Sequence, residues 1–438
     1  MDSGGTVLCL VRSCTFPYSL KEPKPLTTLS PFASPLYLLA KPAGARCNLA
    51  CDYCYYLEKS RLYADGERVM SDRVLDKFIH DYIAAQTMPQ VLFTWHGGEA
   101  LMRPLSFYRR VVELQHKYAQ GRVIDNCIQT NGTLLDDEWC RFFKEQGWLV
   151  GVSVDGPQRM HDAYRRTRSG RPSFRQVMRG IALLDRHGVE WNALAVVNNL
   201  TAEAPLEFYD FFRQIGCRYL QFTPVVERLE KHADGRMLAA PCEGGSLGMA
   251  SYSVSPQAWG DFLVAVFDEW VHHDVGNTFV QLFDATLANW VGQPPGVCSL
   301  APVCGHAGAI EWNGDVYSCD HFVFPEYRLG NLLTDSLIDM MYSPRQRAFG
   351  QAKRTSLPRC CRNCRWLFAC NGECPKNRFV QTPEGESGLN YLCAGYSRYF
   401  AHVAPYMDWM KRQLLNRRAP ADIVQFLRRY PHAFDVSR

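Results

Sequence analysis

Three cysteines fall within eight residues, directly behind the first apolar stretch of the chain: Arg46-Cys47-Asn48-Leu49-Ala50-Cys51-Asp52-Tyr53-Cys54-Tyr55-Tyr56. This C-x3-C-x2-C spacing constrains the fold before any periodicity is considered. Three thiolates this close on one loop can hold three irons of a [4Fe–4S] cube. No fourth local cysteine exists, so one iron lacks a protein ligand, and an open metal position can chelate a substrate. The position behind a strand also fits, because parallel α/β folds gather ligands at the carboxyl ends of their strands. The spacing alone equally admits a three-cysteine zinc site or plainly buried thiols.

The chain carries 18 cysteines in 438 residues. In a short secreted protein that would suggest disulfides. Here the only early apolar stretch, Val7 to Val11, is short and has no basic region before it, so no signal peptide is read. A cytoplasmic location is expected, and clustered cysteines in a reducing compartment point to metal. A second group lies downstream: Cys298-x5-Cys304-x14-Cys319, then Cys361-x2-Cys364-x5-Cys370-x3-Cys374, then Cys393. Eight cysteines suffice for two fully ligated clusters; alone they could also hold two structural zincs. Cys9, Cys14, Cys127, Cys140, Cys217 and Cys242 read as small buried hydrophobes or free thiols, and Cys360 adjoins the second group.

Short apolar strands alternate with amphipathic stretches from residue 35, the pattern of βα units. Strands are expected at 36–41, 90–95, 122–129, 148–154, 190–197 and 218–223. Helices are expected at 71–86, 104–119, 136–146, 173–187 and 203–214, with Ser71 as an N-cap and Gly188 as a stop. Right-handed crossovers would make these strands parallel, as a doubly wound sheet or an incomplete barrel. The pattern breaks after 224: residues 232–255 read as a loop and 256–273 as a helix. The organisation expected is a Pro-rich flexible tail over 1–34, an α/β unit over 35–230, a linker with helices over 231–297, a Cys-rich domain over 298–393 and a helical segment over 394–438.

Charge excludes some partners. The net charge is +4, with Arg412, Arg417, Arg418, Arg428 and Arg429 near the C-terminus, which suits a solvated helix face and implies no nucleic acid. No uncharged apolar run approaches the ~20 residues that cross a membrane.

The Cys47–Tyr56 stretch resembles the radical SAM superfamily, whose open iron binds S-adenosylmethionine (SAM) and whose electron cleaves it to a 5′-deoxyadenosyl radical. That resemblance implies a partial (β/α)6 barrel. His96-Gly97-Gly98-Glu99 is similar to the Gly-Gly-Glu motif of the family, in which glycines let backbone approach a ligand and the carboxylate accepts a bond from the SAM ammonium. Ala100 departs from the proline usual there. Ser153-Val154-Asp155-Gly156-Pro157 resembles a strand-end motif, and it implies that Ser153 and Arg165 contact the SAM ribose or carboxylate. By position, Val226, after the sixth strand, would give adenine a backbone contact.

Beside that motif the downstream cysteines resemble a SPASM domain with two auxiliary [4Fe–4S] clusters, three clusters in all. The family interleaves its ligands, which implies Cys298, Cys304, Cys319 and Cys374 for the first and Cys361, Cys364, Cys370 and Cys393 for the second. Such interleaving couples cluster binding to folding.

Over residues 35–412 the resemblance narrows to the anaerobic sulfatase-maturating enzymes. It is carried by the first cysteine stretch, Gln129-Thr130-Asn131-Gly132-Thr133, the Ser153–Pro157 motif, Tyr317-Ser318-Cys319-Asp320, Leu392-Cys393-Ala394-Gly395-Tyr396 and Pro405-Tyr406-Met407. It implies oxidation of a cysteine or serine in an unfolded or nascent sulfatase to Cα-formylglycine, with a flavodoxin or ferredoxin as electron donor. The adenosyl radical would take hydrogen from Cβ, a base the thiol or hydroxyl proton, and an auxiliary cluster the second electron. Asp320 matches the base of that family, and Tyr56 and His96 match positions near SAM and the target. An ordinary Asp, with a pKa of about 3.9, is a weak base, so burial beside an anionic cluster is expected to raise it. Two alternatives stay open: another SPASM enzyme that forms thioether or carbon–carbon links, and a non-catalytic zinc or electron-transfer protein.

Overall fold

The computed structural model describes residues 36–63, 69–229 and 248–434. The tail expected over 1–34 and most of the 232–255 loop lie outside the described residues.

Six strands follow the apolar runs: β1 (Tyr37–Ala40), β2 (Gln90–Trp95), β3 (Val123–Thr130), β4 (Leu149–Ser153), β5 (Trp191–Val197) and β6 (Tyr219–Pro224). Between them run α1 (Asp72–Ala84), α2 (Leu105–Tyr118), α3 (Asp137–Glu145), α4 (Gln158–Tyr164), α5 (Phe174–His187), α6 (Asn199–Ala202) and α7 (Pro205–Gln214). Local chemistry sets the helix limits. The Ser71 hydroxyl accepts from the Val74 amide at 3.4 Å, and Asp136 caps α3 through the Trp139 amide. Gly188 ends α5 in the left-handed region, at φ 63°. The helix expected over 203–214 starts at Pro205, a residue suited to a first turn, and α6 precedes it.

Each of the six strands pairs in parallel with its neighbour in the chain. That sequential order is the winding of a barrel; a doubly wound sheet would reverse at a switch point. The seam between sheet and helices is filled by aromatics, with Trp95, Trp148 and Tyr108 buried against one another.

The sheet continues past both ends of the six. A small hairpin, β7 (Arg228–Leu229) with β8 (Gly248–Met249), precedes α8 (Pro256–His273), which matches the expected helix. Then β9 (Phe279–Val280) pairs with β6 and leads into α9 (Gln281–Trp290). On the opposite edge β10 (Ala307–Ile310) pairs in parallel with β1, and β11 (Asp315–Tyr317) and β12 (Arg328–Asn331) extend it antiparallel. The Cys-rich segment therefore contributes three strands to the barrel sheet. Strands of three or four residues carry too little periodicity to be read from sequence.

After β12 come α10 (Leu337–Met341), α11 (Pro344–Thr355), α12 (Arg359–Arg362) and α13 (Leu367–Cys370), a hairpin of β13 (Val380–Gln381) and β14 (Ser387–Leu389), then α14 (Cys393–Leu415) and α15 (Asp422–Arg429). Helix α14 lies on α8 through two glycines. A Cβ on Gly260 would stand 2.8 Å from the Gly395 Cα, closer than real Cβ contacts allow. This contact seats the first turn of α14, which begins at Cys393, on α8.

Candidate active site

The carboxyl ends of β1 to β6 carry the residues singled out from sequence. The first cysteine loop follows β1 and is tied down by its neighbours. The Ala50 amide donates to the Arg166 carbonyl (2.8 Å), the Asp52 amide to the Tyr164 carbonyl (3.1 Å), and Arg168 Nε to the Cys47 carbonyl (2.7 Å). Asn48 is held by Asn131 Nδ2 (2.8 Å) and donates to Thr133 (2.8 Å), which gives the Gln129–Thr133 stretch its role here.

Cys47, Cys51 and Cys54 stand close enough to influence one another. Burial pushes the Cys47 thiol up to about 11, assisted by Glu99 and Cys54. Burial takes Cys51 to about 12 against the Arg165 guanidinium, and raises Cys54. Buried thiols of this kind ionise only beside a cation, which iron supplies, so the donor set fits a cluster. Among the described residues no three His, Cys, Asp or Glu side chains converge tightly enough for a single metal ion.

The Gly-Gly-Glu stretch packs closely on the first cysteine loop. A Cβ on Gly98 would collide with the Arg46 carbonyl, and one on Gly97 would lie 2.9 Å from the Gly44 carbonyl oxygen. The close approach these glycines permit is therefore to the 44–46 backbone, sealed by Gly98 N–H to Gly44 (2.8 Å) and Glu99 N–H to Arg46 (2.7 Å). Glu99 is buried and accepts from the Leu101 amide (2.9 Å), the Thr130 hydroxyl (2.7 Å) and the Asn131 amide (2.7 Å). The Thr130 and Asn131 bonds brace the end of β2 against β3, and the Leu101 bond caps the turn that follows.

At the end of β4, Ser153 accepts from Gln129 Nε2 at 3.0 Å. Asp155 is the organising residue there. Its carboxylate accepts from Arg165 Nε (2.8 Å) and Nη2 (3.1 Å), from the Val196 amide (2.9 Å) and from the Tyr53 hydroxyl. Arg165 lies 5.5 Å from the centre of the Tyr53 ring and favours ionisation of Cys51. The sequence reading assigned Asp155 no role, because its value comes from three partner residues on three other segments.

A second polar group forms where β1, β2 and the Cys319 loop meet. Lys41, directly after β1, is 0% exposed. Its ammonium forms an ion pair with Asp320, stands 3.2 Å from His96 Nδ1, and lies 4.4 Å from the centre of the Tyr56 ring. The Tyr55 hydroxyl donates to Asp320 Oδ2 (2.6 Å), and the Tyr56 hydroxyl donates to Glu311, whose carboxyl burial lifts to about 7. Burial pushes the Asp320 carboxyl up, and the adjacent Lys41 ammonium opposes it and holds the group below the ordinary carboxylate range. Burial, then Lys41, lowers His96 to about 3, so its ring is neutral. Its Nδ1 faces both the ammonium and the Gly97 amide (2.7 Å), which leaves the ring hydrogen on Nε2.

The downstream cysteines gather as two sets. The Cys374 thiol is raised by burial first, then by Glu373, Cys298, Cys304 and Cys319; Cys319 in turn feels Cys298 and Cys304. Cys370 feels Cys393 and Cys361, and Cys393 feels Cys364 and Cys360. Cys374 thus stands with the upstream three, although it is only four residues beyond Cys370 in the chain. Cys360 joins the second set as an exposed fifth thiol beside Cys361. Cys127, Cys140 and Cys217 are buried away from both, as expected.

Residues 42–212 match the radical SAM superfamily, and residues 304–365 match SPASM, an iron–sulfur cluster-binding domain. A serine-type anaerobic sulfatase-maturating enzyme of Bacteroides thetaiotaomicron is 64% identical, over 92% of this chain and 97% of its own length. The chain belongs to the anaerobic sulfatase-maturating enzymes. A cysteine-type enzyme of Clostridium perfringens is 30% identical over 85% of this chain and 97% of its own length. The solved structure of native anSMEcpe with bound AdoMet superposes with a TM-score of 0.76 at 29% identity, covering 86% of this chain and all of that one; another carries AdoMet and the Cp18Cys peptide.

In this sulfatase-maturating enzyme the end of the sixth strand is tied to the Cys-rich segment. The Val226 carbonyl accepts from Lys376 Nζ at 3.2 Å, and the same ammonium pairs with Glu227. The segment after Cys374 is thereby fastened to the strand end from which an adenine contact was expected. No sequence signal marked Lys41, Glu227 or Lys376, since a lone lysine or glutamate reads as surface until its partners are placed.

Proposed function

We propose that this enzyme oxidises a serine side chain of a sulfatase polypeptide to Cα-formylglycine without oxygen. Cysteine is the second target class. The observation that carries the reading is the placement of Tyr56, His96 and Asp320 around Lys41, between the Cys47–Cys54 loop and the Cys319 loop. The choice of serine rests on the 64% identity to a serine-type enzyme.

Three [4Fe–4S] clusters are proposed. Cys47, Cys51 and Cys54 would hold the one that binds SAM; Cys298, Cys304, Cys319 and Cys374 the second; Cys361, Cys364, Cys370 and Cys393 the third. Gly97, Gly98, Glu99, Ser153, Arg165 and Val226 are proposed to contact SAM, with Glu99 toward its ammonium and Val226 toward adenine. When bound, the first cluster and SAM supply the 5′-deoxyadenosyl radical that takes one hydrogen from the target Cβ. Conversion of –CH2OH to –CHO then requires loss of one proton and one electron. Asp320 receives the proton. Proton transfer follows hydrogen loss, because the carbon-centred radical left on Cβ acidifies the hydroxyl, and Asp320 is held in place for it by Lys41 and Tyr55. Tyr56 and His96 orient the target. A cluster held by Cys298, Cys304, Cys319 and Cys374, beside Asp320, would supply the acceptor for that electron.

A flavodoxin or ferredoxin is proposed as donor. The cytoplasm is proposed as the location, because eleven cysteines proposed to hold iron as thiolates suit a reducing compartment. The functional division proposed is a barrel over 35–230, a connecting segment over 231–297, a SPASM unit over 298–393 and a helical segment over 394–438. The test is anaerobic incubation with SAM, a reductant and paired Ser-x-Pro-x-Arg and Cys-x-Pro-x-Arg peptides, read by mass. Aldehyde formation on the serine peptide supports the reading. A thioether or carbon–carbon link, or an unchanged mass in both peptides, overturns it.

A further inference from the structure

Lys41 is hard to explain as a fold residue. Removing an ammonium from water carries a penalty of several kcal/mol, so lysines are almost never fully buried unless paired. Lys41 is 0% exposed, and each of its contacts belongs to a different part of the chain. Asp320 comes from the Cys319 loop, His96 from the end of β2, and Tyr56 from the first cysteine loop. An ammonium has three N–H donors, and here they face a carboxylate, a ring nitrogen and a π face. The backbone around it is equally fixed. The Lys41 amide donates to the Ile310 carbonyl at 2.9 Å, and its own carbonyl accepts from Gly44 at 3.0 Å. Gly97, whose Cβ would stand 3.8 Å from the Lys41 Cβ, adopts φ +136° beside it.

We infer that Lys41 is a positioning residue for the proton-removal step, aligning the Asp320 carboxylate and the His96 ring on the target side chain through one shared ammonium. The inference rests on the formylglycine reading above. Its physical content is geometric. The ion pair fixes which Asp320 oxygen faces Lys41 and which accepts from Tyr55. The contact to Nδ1 selects the His96 tautomer whose Nε2–H remains to donate. Without the ammonium both groups lose their common anchor, while the Cys47–Cys54 loop keeps its own ties to residues 131, 164, 166 and 168. Hydrogen abstraction and product formation then separate.

The test compares wild type, Lys41→Met and Lys41→Arg as reconstituted holoenzymes. Iron content and the dissociation constants for SAM and the serine peptide are measured beside 5′-deoxyadenosine and formylglycine. Met matches the length of the stem and lacks charge; Arg keeps the charge and can still pair with Asp320. The expected result is iron and both affinities within about threefold of wild type, with formylglycine per 5′-deoxyadenosine lowered at least tenfold in Lys41→Met and partly restored in Lys41→Arg. A loaded Lys41→Met enzyme that retains wild-type coupling overturns the inference. So does joint loss of iron and SAM binding in both variants, which would make Lys41 part of the fold. Absence of formylglycine from the wild type itself would instead defeat the proposed function, leaving the two failures distinguishable.

Discussion

Asp155→Ala should be among the most damaging single substitutions outside the cysteines. The carboxylate is 1% exposed and accepts from Arg165 Nε and Nη2, the Val196 amide and the Tyr53 hydroxyl. Truncation leaves a buried guanidinium, an amide and a phenol without their acceptor. Breaking a buried ion pair from one side costs about 3–5 kcal/mol, and each further unsatisfied buried donor adds about 1 kcal/mol or more. A loss of about 5 kcal/mol is a large share of the ~5–15 kcal/mol that stabilises a domain. The loss also reaches the cluster site, because Arg165 neighbours Cys51, and Tyr164 and Arg166 hold the loop amides of Asp52 and Ala50. Unfolding by urea of the loaded enzyme, with iron counted in the same samples, measures both. Asp155→Asn keeps an acceptor for Val196 and should lose roughly half as much. Arg165→Met should resemble Asp155→Ala, and the double variant should cost less than the sum of the singles, because the partners share one interaction. The reasoning is refuted if Asp155→Ala unfolds within about 1 kcal/mol of wild type, or if Arg165→Met weakens SAM binding alone with stability intact.

Replacing Cys47, Cys51 and Cys54 together by Ala should abolish 5′-deoxyadenosine while the iron of the downstream sets remains by Mössbauer spectroscopy. Cys374→Ala should remove the cluster shared with Cys298, Cys304 and Cys319; loss of the other cluster instead would reverse the ligand assignment. Asp320→Asn should still cleave SAM but make formylglycine roughly 10²-fold more slowly, the scale of a lost general base; a normal rate in a fully loaded variant would dismiss Asp320 from that role. For pH, His96 falls from the usual 6.5 to about 3 in the folded protein. Between those values the unfolded state binds more protons, so stability rises with pH and is lost on acidification. Asp320, also depressed, acts in the same direction at lower pH. The urea midpoint of His96→Gln should therefore depend less steeply on pH between about 5 and 7 than that of wild type.

Local patterns made much of this molecule legible. The six parallel strands and their helices follow periodicity and the Ser71 and Gly188 caps, because period and capping are properties of neighbouring residues. The first cysteine loop was legible for the same reason: its three thiols lie within eight residues. The partition of the downstream thiols between two sets was implied by resemblance alone, since spacing puts Cys374 with Cys370.

Tertiary structure decided whatever depends on partners distant in sequence. Asp320 looked like a carboxylate that burial would raise; Lys41, 279 positions earlier, reverses the direction. The bonds of Glu99 to Thr130 and Asn131, more than 30 positions on, were likewise invisible in the sequence. The short strands β10 to β12 draw their stability from pairing along the β1 edge, so their own sequence shows little of them. Residue order determined the elements and the one local cluster loop. Charge compensation at the site became visible only when the barrel brought β1, β2 and the Cys319 loop together, because electrostatics depends on distance in space and burial, neither of which sequence order records.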